Sequence, residues 1–268
     1  MIYKNNGFFI RIFLLILSIL SGPVHAQKKT HYIFTGHSAT HGLLRDKGIS
    51  ALSQTNFIHG FDITYAEDDS TVSDYLNVYF HKGKFDNNKQ LLASPEIWKI
   101  QFKWFRYWRT NWFKKTKTDI GFHLQQGYTN QNREDFPNNS NYFSELISIG
   151  PAIQLKKYWY PPSGKKVELY CRGSFSVLNH IIRPSIASIF PINNTNKDQV
   201  DQETSFEQGK FTSVHHLQYA NTSLGLNYFI LKFIFVSADY SWEFIHYNQD
   251  NEYHEVNHQF FLRMGFYF

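Results

Sequence analysis

The stretch HEVNHQFFLRMGFYF, residues 254–268, decides how this chain folds. Read by parity, Val256, His258, Phe260, Leu262, Met264, Phe266 and Phe268 fall on one side of an extended strand. Asn257, Gln259, Arg263, Gly265 and Tyr267 fall mostly on the other, because successive side chains of a strand point to opposite faces. One face is almost wholly apolar. A strand that meets lipid on one side and a polar lumen on the other needs this arrangement.

The same alternation recurs upstream and marks about ten strands. The weakest is the first, near Tyr32 to Gly42. The second, Phe57 to Tyr65, sets Phe57, Phe61, Ile63 and Tyr65 on one face, and the third runs from Val72 to Phe80. The fourth is the clearest, with Trp98, Ile100, Phe102, Trp104 and Trp108 opposite Lys99, Gln101 and Lys103. Its two outer tryptophans are ten residues apart, roughly 23 Å of membrane normal at about 3.3 Å per residue and a tilt of about 45°. They are spaced to sit in the two interfacial girdles. Ile120 to Gln125, Ile147 to Leu155, Val167 to Val177, Gln218 to Ile230 and Phe233 to His246 supply the fifth to ninth strands.

The connections give a second, independent pattern. Ala66 to Thr71, Phe113 to Thr118, Tyr158 to Lys166 and the pair Leu231-Lys232 are short. Arg45 to Asn56, His81 to Pro95, Tyr128 to Asn141, Asn179 to Val214 and Tyr247 to Glu255 are long and polar. Short and long alternate along the chain. With both termini in the periplasm, this places short turns inside and long loops outside, the rule of outer-membrane barrels. The expectation is an all-β, antiparallel, up-and-down transmembrane barrel. Ten strands is the reading. Eight is an alternative, and so is twelve, since Asn179 to Val214 is long enough to hold another hairpin.

Residues 1–26 read as a leader, leaving 27–268 as the barrel. Lys4 and Arg11 precede an apolar core from Ile12 to Leu20, and Val24-His25-Ala26 is a small-x-small cleavage site. The core is too short to cross a bilayer as a helix. Aromatic residues make up 18 % of the chain, yet mean hydropathy is −0.42. Alternating strands produce this combination, since every second residue is polar. The net charge of +5 falls to +3 without Lys4 and Arg11, too small a surplus to indicate nucleic acid. Cys171 is the single cysteine, so the chain has no internal disulfide.

Chemistry is harder to find. Lys99, Lys103, Asp119, Glu168, Arg172, Asp239, Glu243 and Arg263 all take the lumen parity, which suits either a plug of ion pairs or a thin polar channel. There are 13 histidines, 12 after cleavage; no pair has zincin spacing, His215-His216 would point its rings to opposite faces of a strand, and neither a metal nor a cofactor is expected. His246, His254 and His258 share the lipid-facing parity near the outer rim. Side chains there meet head groups and acyl esters of the outer leaflet.

The terminal strand ending on Phe268 resembles the strand by which bacterial outer-membrane proteins reach their assembly machinery. The C-terminal hairpin, His246-Tyr247-Asn248-Gln249 with Asn257 and Gly265-Phe266-Tyr267-Phe268, resembles that of lipid A 3-O-deacylase-like barrels, which carry a His-x-Ser-Asn motif there. His31 to Ser38, with Gly60 to Tyr65, resembles the opening of related barrels in Bacteroidetes. The deacylase resemblance implies His246 as general base. Asn248 then stands at the nucleophilic serine, Gln249 replaces the asparagine, and no acid past Glu255 on the last strand is placed to orient the histidine. Ser38 beside His37 and Ser213 near His215 are other serines, although strand neighbours face opposite ways.

These observations point to a non-enzymatic barrel in the outer membrane of a Gram-negative cell, structural or interacting through its loops. A lipid A acyl-ester hydrolase and a narrow solute channel are the alternatives. The expected partners are outer-membrane lipid, lipopolysaccharide and the assembly machinery.

Overall fold

The alternation of the last strand extends around an entire closed sheet. The computed structural model describes residues 29–46, 53–86, 96–110, 112–113, 116–133, 140–162, 164–182, 210–249 and 252–268. The expected leader, residues 1–26, and the middle of each long connection lie outside these. Twelve strand segments are present: β1 (Thr30–Asp46), β2 (Ser53–Asp68), β3 (Val72–Asp86), β4 (Glu96–Thr110), β5 (Lys117–Arg133), β6 (Ser140–Trp159), β7 (Val167–Phe175), β8 (Leu178–Ile182), β9 (Lys210–Ser213), β10 (Leu217–Phe229), β11 (Ile234–Tyr247) and β12 (Tyr253–Tyr267).

They form ten staves, because β8 continues β7 and β9 leads into β10. Between β7 and β8 one extra residue is inserted relative to β6, where Ala152 pairs with Ser174 but Ile149 pairs with Leu178. That β-bulge leaves Val177 and Leu178 both exposed. Val214, His215 and His216 turn out of the sheet before β10 resumes at Leu217. The predicted loop from Asn179 to Val214 therefore begins and ends as paired strand, β8 against β9, and the stretch 183–209 between them lies outside the described residues.

Every neighbouring pair is antiparallel, and β12 pairs with β1 from Tyr32↔Tyr267 to Asp46↔Tyr253, closing the barrel. Following paired residues once around from Thr30 gives Asp68, Ser73, Tyr107, Gly121, Ala152, Ser174, Asn221, Glu243, Asn257 and then Gly42. The circuit returns to β1 at residue 42 instead of 30, a shear of 12. Ten strands with this shear tilt by about 40° and place the wall about 10 Å from the axis.

The expected strands are all present, but longer. β1 runs to Asp46, β3 to Asp86 and β5 to Arg133, so much of the predicted outer loops is strand. The polar sequence of those ends hid them, since an extended hairpin beyond the membrane has no lipid-facing side to make apolar.

The faces follow parity. On β12, Leu262 is 64 % exposed and its neighbour Arg263 only 6 %. Phe57, Phe61, Ile63, Phe80, Leu224, Phe260, Met264 and Phe266 likewise point outward, giving the barrel an apolar band. Such a surface is stable in hydrocarbon and not in water, so this is an integral membrane barrel. Trp108 packs on Phe122 at the turn end and Trp98 on Tyr128 at the other, as the girdle spacing requires. Trp104 takes the outward parity but is covered by Phe122 and Arg106.

The lumen is less polar than parity alone suggested. Ile58, Ile97, Leu217, Ile245, Tyr247 and Tyr253 form an apolar cluster at the outer end. Phe34, Tyr75, Phe105, Tyr107, Phe229 and Phe235 form another near the termini. Gly265 makes the second cluster possible, because a Cβ there would run into the Phe235 ring. In the β6–β7 turn, Gly164 takes φ +72° and donates its N–H to Pro161 O at 2.9 Å.

The β2–β3 turn is held by Asp69, whose Oδ1 accepts from the N–H groups of Thr71 and Val72 at 2.6 Å each and from the Thr71 hydroxyl at 2.9 Å. Partial burial pushes this carboxyl up, but those donors outweigh it and hold the group below its ordinary 3.8. Its contribution is thus complete above the ordinary value and lost as pH falls through the folded one. Asp69→Ala is expected to cost about 0.5–1 kcal/mol at neutral pH, because the turn is solvent-screened. Urea unfolding in lipid vesicles should show that difference shrinking in acid.

Candidate functional site

Two sets of side chains could carry function: the histidines of the outer rim and the charges of the lumen. At the rim, His246 on β11 pairs across to His254 on β12, with the rings stacked at 4.2 Å between centroids. Their Nδ1 atoms are 3.0 Å apart, and His254 Nε2 lies 2.5 Å from Glu252 Oε1.

With both rings neutral, the hydrogen bonds fix the tautomers. The carboxylate of Glu252 accepts from His254 Nε2–H. His254 Nδ1 must then accept from His246 Nδ1–H, which leaves a lone pair on His246 Nε2. The acid missing from the sequence reading comes from before the strand, at Glu252. Only the folded hairpin shows that it reaches His254.

His258 does not join this chain. Its Nδ1 meets the Tyr240 hydroxyl at 2.7 Å, farther down the wall. Asn248 is tied elsewhere, since its Oδ1 is 3.2 Å from His216 Nδ1, its side-chain amide donates to His215 O and its N–H to His216 O. It braces the out-turned Val214–His216 segment against the end of β11. Ser38 does find a histidine, but His81 and not His37: Ser38 Oγ lies 2.8 Å from His81 Nε2. Both are fully buried inside the barrel, out of reach of a lipid. His37 instead stacks outward on His59, with ring nitrogens 3.2 Å apart.

In the lumen, all eight residues of the expected parity point inward; seven of them fall into three groups, and Glu168 accepts from the Asn227 side-chain amide at 3.0 Å. In the outer group Lys99 pairs with Glu255, while Glu243 accepts from Lys103 at 3.0 Å, Tyr219 at 3.0 Å and Asn257 at 3.3 Å. In the middle, Arg263 spans two carboxylates, Asp62 at 2.5 Å and Asp239, with its guanidinium over the Phe261 ring. Nearer the termini, Arg172 donates to Gln154, Gln154 to Asp119 at 3.0 Å, and Asp68 binds both Arg109 and Lys156.

Asp62, Lys156 and Asp68 were not singled out in the sequence, although the parity of β2 and β6 places all three inside. Among the described residues, no group of three or more histidine, cysteine, aspartate or glutamate side chains is arranged to hold a metal ion.

No protein-family model matches the chain, and no curated protein sequence matches it. Several solved barrels are similar in structure. The outer-membrane protease OmpT from Escherichia coli gives a TM-score of 0.48 at 9 % identity, covering 92 % of this chain and 99 % of that one. The attachment invasion locus protein Ail of Yersinia pestis gives 0.35 at 10 %, covering 90 % and 99 %. Neisserial surface protein A gives 0.38 at 11 %, covering 88 % and 96 %.

The Arg263 bridge makes a sharp test of the lumen. Arg263→Met leaves two buried carboxylates uncompensated and should cost about 3–5 kcal/mol in urea unfolding from lipid vesicles. Adding Asp62→Asn and Asp239→Asn should recover most of it. A triple variant as unstable as the single one would place the loss in the packing on Phe261 instead.

Proposed function

We propose that this chain is a closed, non-conducting outer-membrane barrel that acts through its outer end, as a structural or interaction protein in contact with outer-membrane lipid and lipopolysaccharide. The observation that supports this reading is the filled lumen. Among the described residues, two cavities between the inward-facing charges are about 30 Å³ each, room for a water or two. Apolar clusters lie on either side of them. A solute path would require these clusters to come apart and buried ion pairs to break. In planar bilayers the purified barrel should give no unitary conductance steps, and reproducible steps would overturn the reading in favour of a channel.

A second reading, hydrolysis of a lipid acyl ester, has one specific observation in its favour: the Glu252–His254–His246 chain at the height of the outer head groups. With Asn248 engaged by His216, the nucleophile in this reading is water. His246 Nε2 takes the proton as water adds to the ester carbonyl. The tetrahedral adduct then expels the alkoxide, which recovers the proton from His246.

Mass spectrometry of lipid A from cells with and without the protein, alongside His246→Ala and Glu252→Gln variants, separates the two readings. Loss of one acyl chain that depends on both residues would establish the hydrolase. Unchanged lipid A is the expected result for the structural barrel.

A further inference from the structure

The apolar band of the wall does not stop where the strands do. At the end of the barrel that carries both termini, the β4–β5, β6–β7 and β10–β11 turns carry it past the girdle at Trp108. Trp112, Phe113, Trp159, Tyr160, Leu231 and Phe233 are each at least half exposed there. Tryptophan and tyrosine favour the depth of the lipid head groups, where an apolar ring and a polar edge are both accommodated.

Charge is spread just as unevenly around this rim. Residues 111–118, 157–167 and 229–238, which hold the three turns, contain seven lysines and no aspartate or glutamate. The remaining turn, β2–β3, is the reverse, with Glu67, Asp68 and Asp69 and no lysine. Its carboxylates are satisfied from within: Glu67 by Lys29, Asp68 by Arg109 and Lys156, and Asp69 by its own turn.

Two of the lysines are turned away from the surroundings. Lys117 and Lys166 lie against the Tyr158 ring, 5.0 and 4.4 Å from its centroid, and Glu168 acts on Lys166 from inside the barrel. Lys157, Lys165 and Lys232 are exposed, and among the described residues none of these three makes an ion pair. Lys157 takes the same outward parity of β6 as Trp159. Lys165 donates to Ile230 O at 2.7 Å, which ties the β6–β7 turn to the β10–β11 turn. With Leu231 and Lys232 it lines a cleft of about 370 Å³ between them, and no carboxylate lines that cleft.

We propose that this three-turn sector docks on anionic phospholipid head groups of the inner leaflet, each exposed lysine meeting a separate phosphate and the aromatic tips lying among glycerol and acyl esters. A bilayer surface does not require ammonium groups to converge; it requires apolar tips and unopposed cations on one face. The occupant is lipid and not a soluble anion because the sector continues the apolar wall, with Trp108 and Ile230 exposed directly above the turns. The acidic β2–β3 turn is repelled by the same surface, so one side of the rim is held deeper than the other.

Tryptophan quenching by dibrominated phosphatidylglycerol, in vesicles otherwise made of phosphatidylcholine, tests this on the full barrel, since Trp108, Trp112 and Trp159 lie in the sector. The wild type should prefer phosphatidylglycerol by about fivefold, the weight of roughly one lysine near an anionic surface, and by less at high salt. Lys157→Gln/Lys165→Gln/Lys232→Gln should bring the preference close to parity, with heat-modifiable gel mobility retained to show that the barrel still closes. Lys82→Gln/Lys84→Gln, at the opposite end, should leave it unchanged. No preference in the wild type, an undiminished one in the triple variant, or its loss in the opposite-end variant would overturn the docking. Co-sedimentation of the wild type with peptidoglycan from zwitterionic micelles, absent in the triple variant and with no lipid preference, would overturn it in favour of the cell wall.

Discussion

Opposite walls of a ten-stranded barrel with a shear of 12 stand about 20 Å apart, and whatever lies between them has to be filled or wetted. That width is small enough for long side chains from facing staves to meet. Tyr79 on β3 reaches Phe261 on β12, with ring centroids 5.4 Å apart, and Arg172 on β7 lies 4.0 Å from the Tyr75 ring on β3. Where a large ring lies along the wall, the neighbouring stave gives way, as Gly265 does for its cross-strand partner Phe235. The plugged interior follows from strand number and stagger combined with the choice of aromatic and arginine side chains.

The apolar clusters and the ion pairs depend on each other. Shutting both ends with tyrosine, phenylalanine and aliphatic groups keeps bulk water out of the middle, where a lone charge becomes expensive. Each charge there therefore has a partner, and many partners sit on staves that are not neighbours. Lys99 on β4 reaches Glu255 on β12, Lys103 reaches Glu243 on β11, and Arg263 on β12 reaches Asp62 on β2. Backbone bonds hold each stave to the next. The ion pairs brace the barrel across its diameter and resist flattening of its cross-section.

Much of this architecture is legible in the chain. A period of two is local, so the lipid face of β12, the tryptophan face of β4 and the order of turns can all be read from the residues themselves. What could not be read depends on register. That Ser38 meets His81 instead of His37, that Glu252 steadies His254, and that Arg263 finds Asp62 across 201 positions of sequence all follow from the shear, and no local pattern encodes it. The inward aromatics were obscured for another reason. Phe235 and Tyr107 lie between outward-facing apolar residues, Ile234 and Val236 in one case and Trp108 in the other, so apolar residues occur on both parities there. The bulge at Val177 was hidden likewise, because one inserted residue shifts parity without changing composition.

The seam between β1 and β12 closes with reciprocal backbone bonds, His31 N–H to Phe268 O and Phe268 N–H to His31 O, both 3.0 Å, with the Phe268 ring against His31. The two ends of the described sheet therefore hold each other, and peeling β12 away from its tip means breaking both bonds and lifting the Phe268 ring off His31 in a single step.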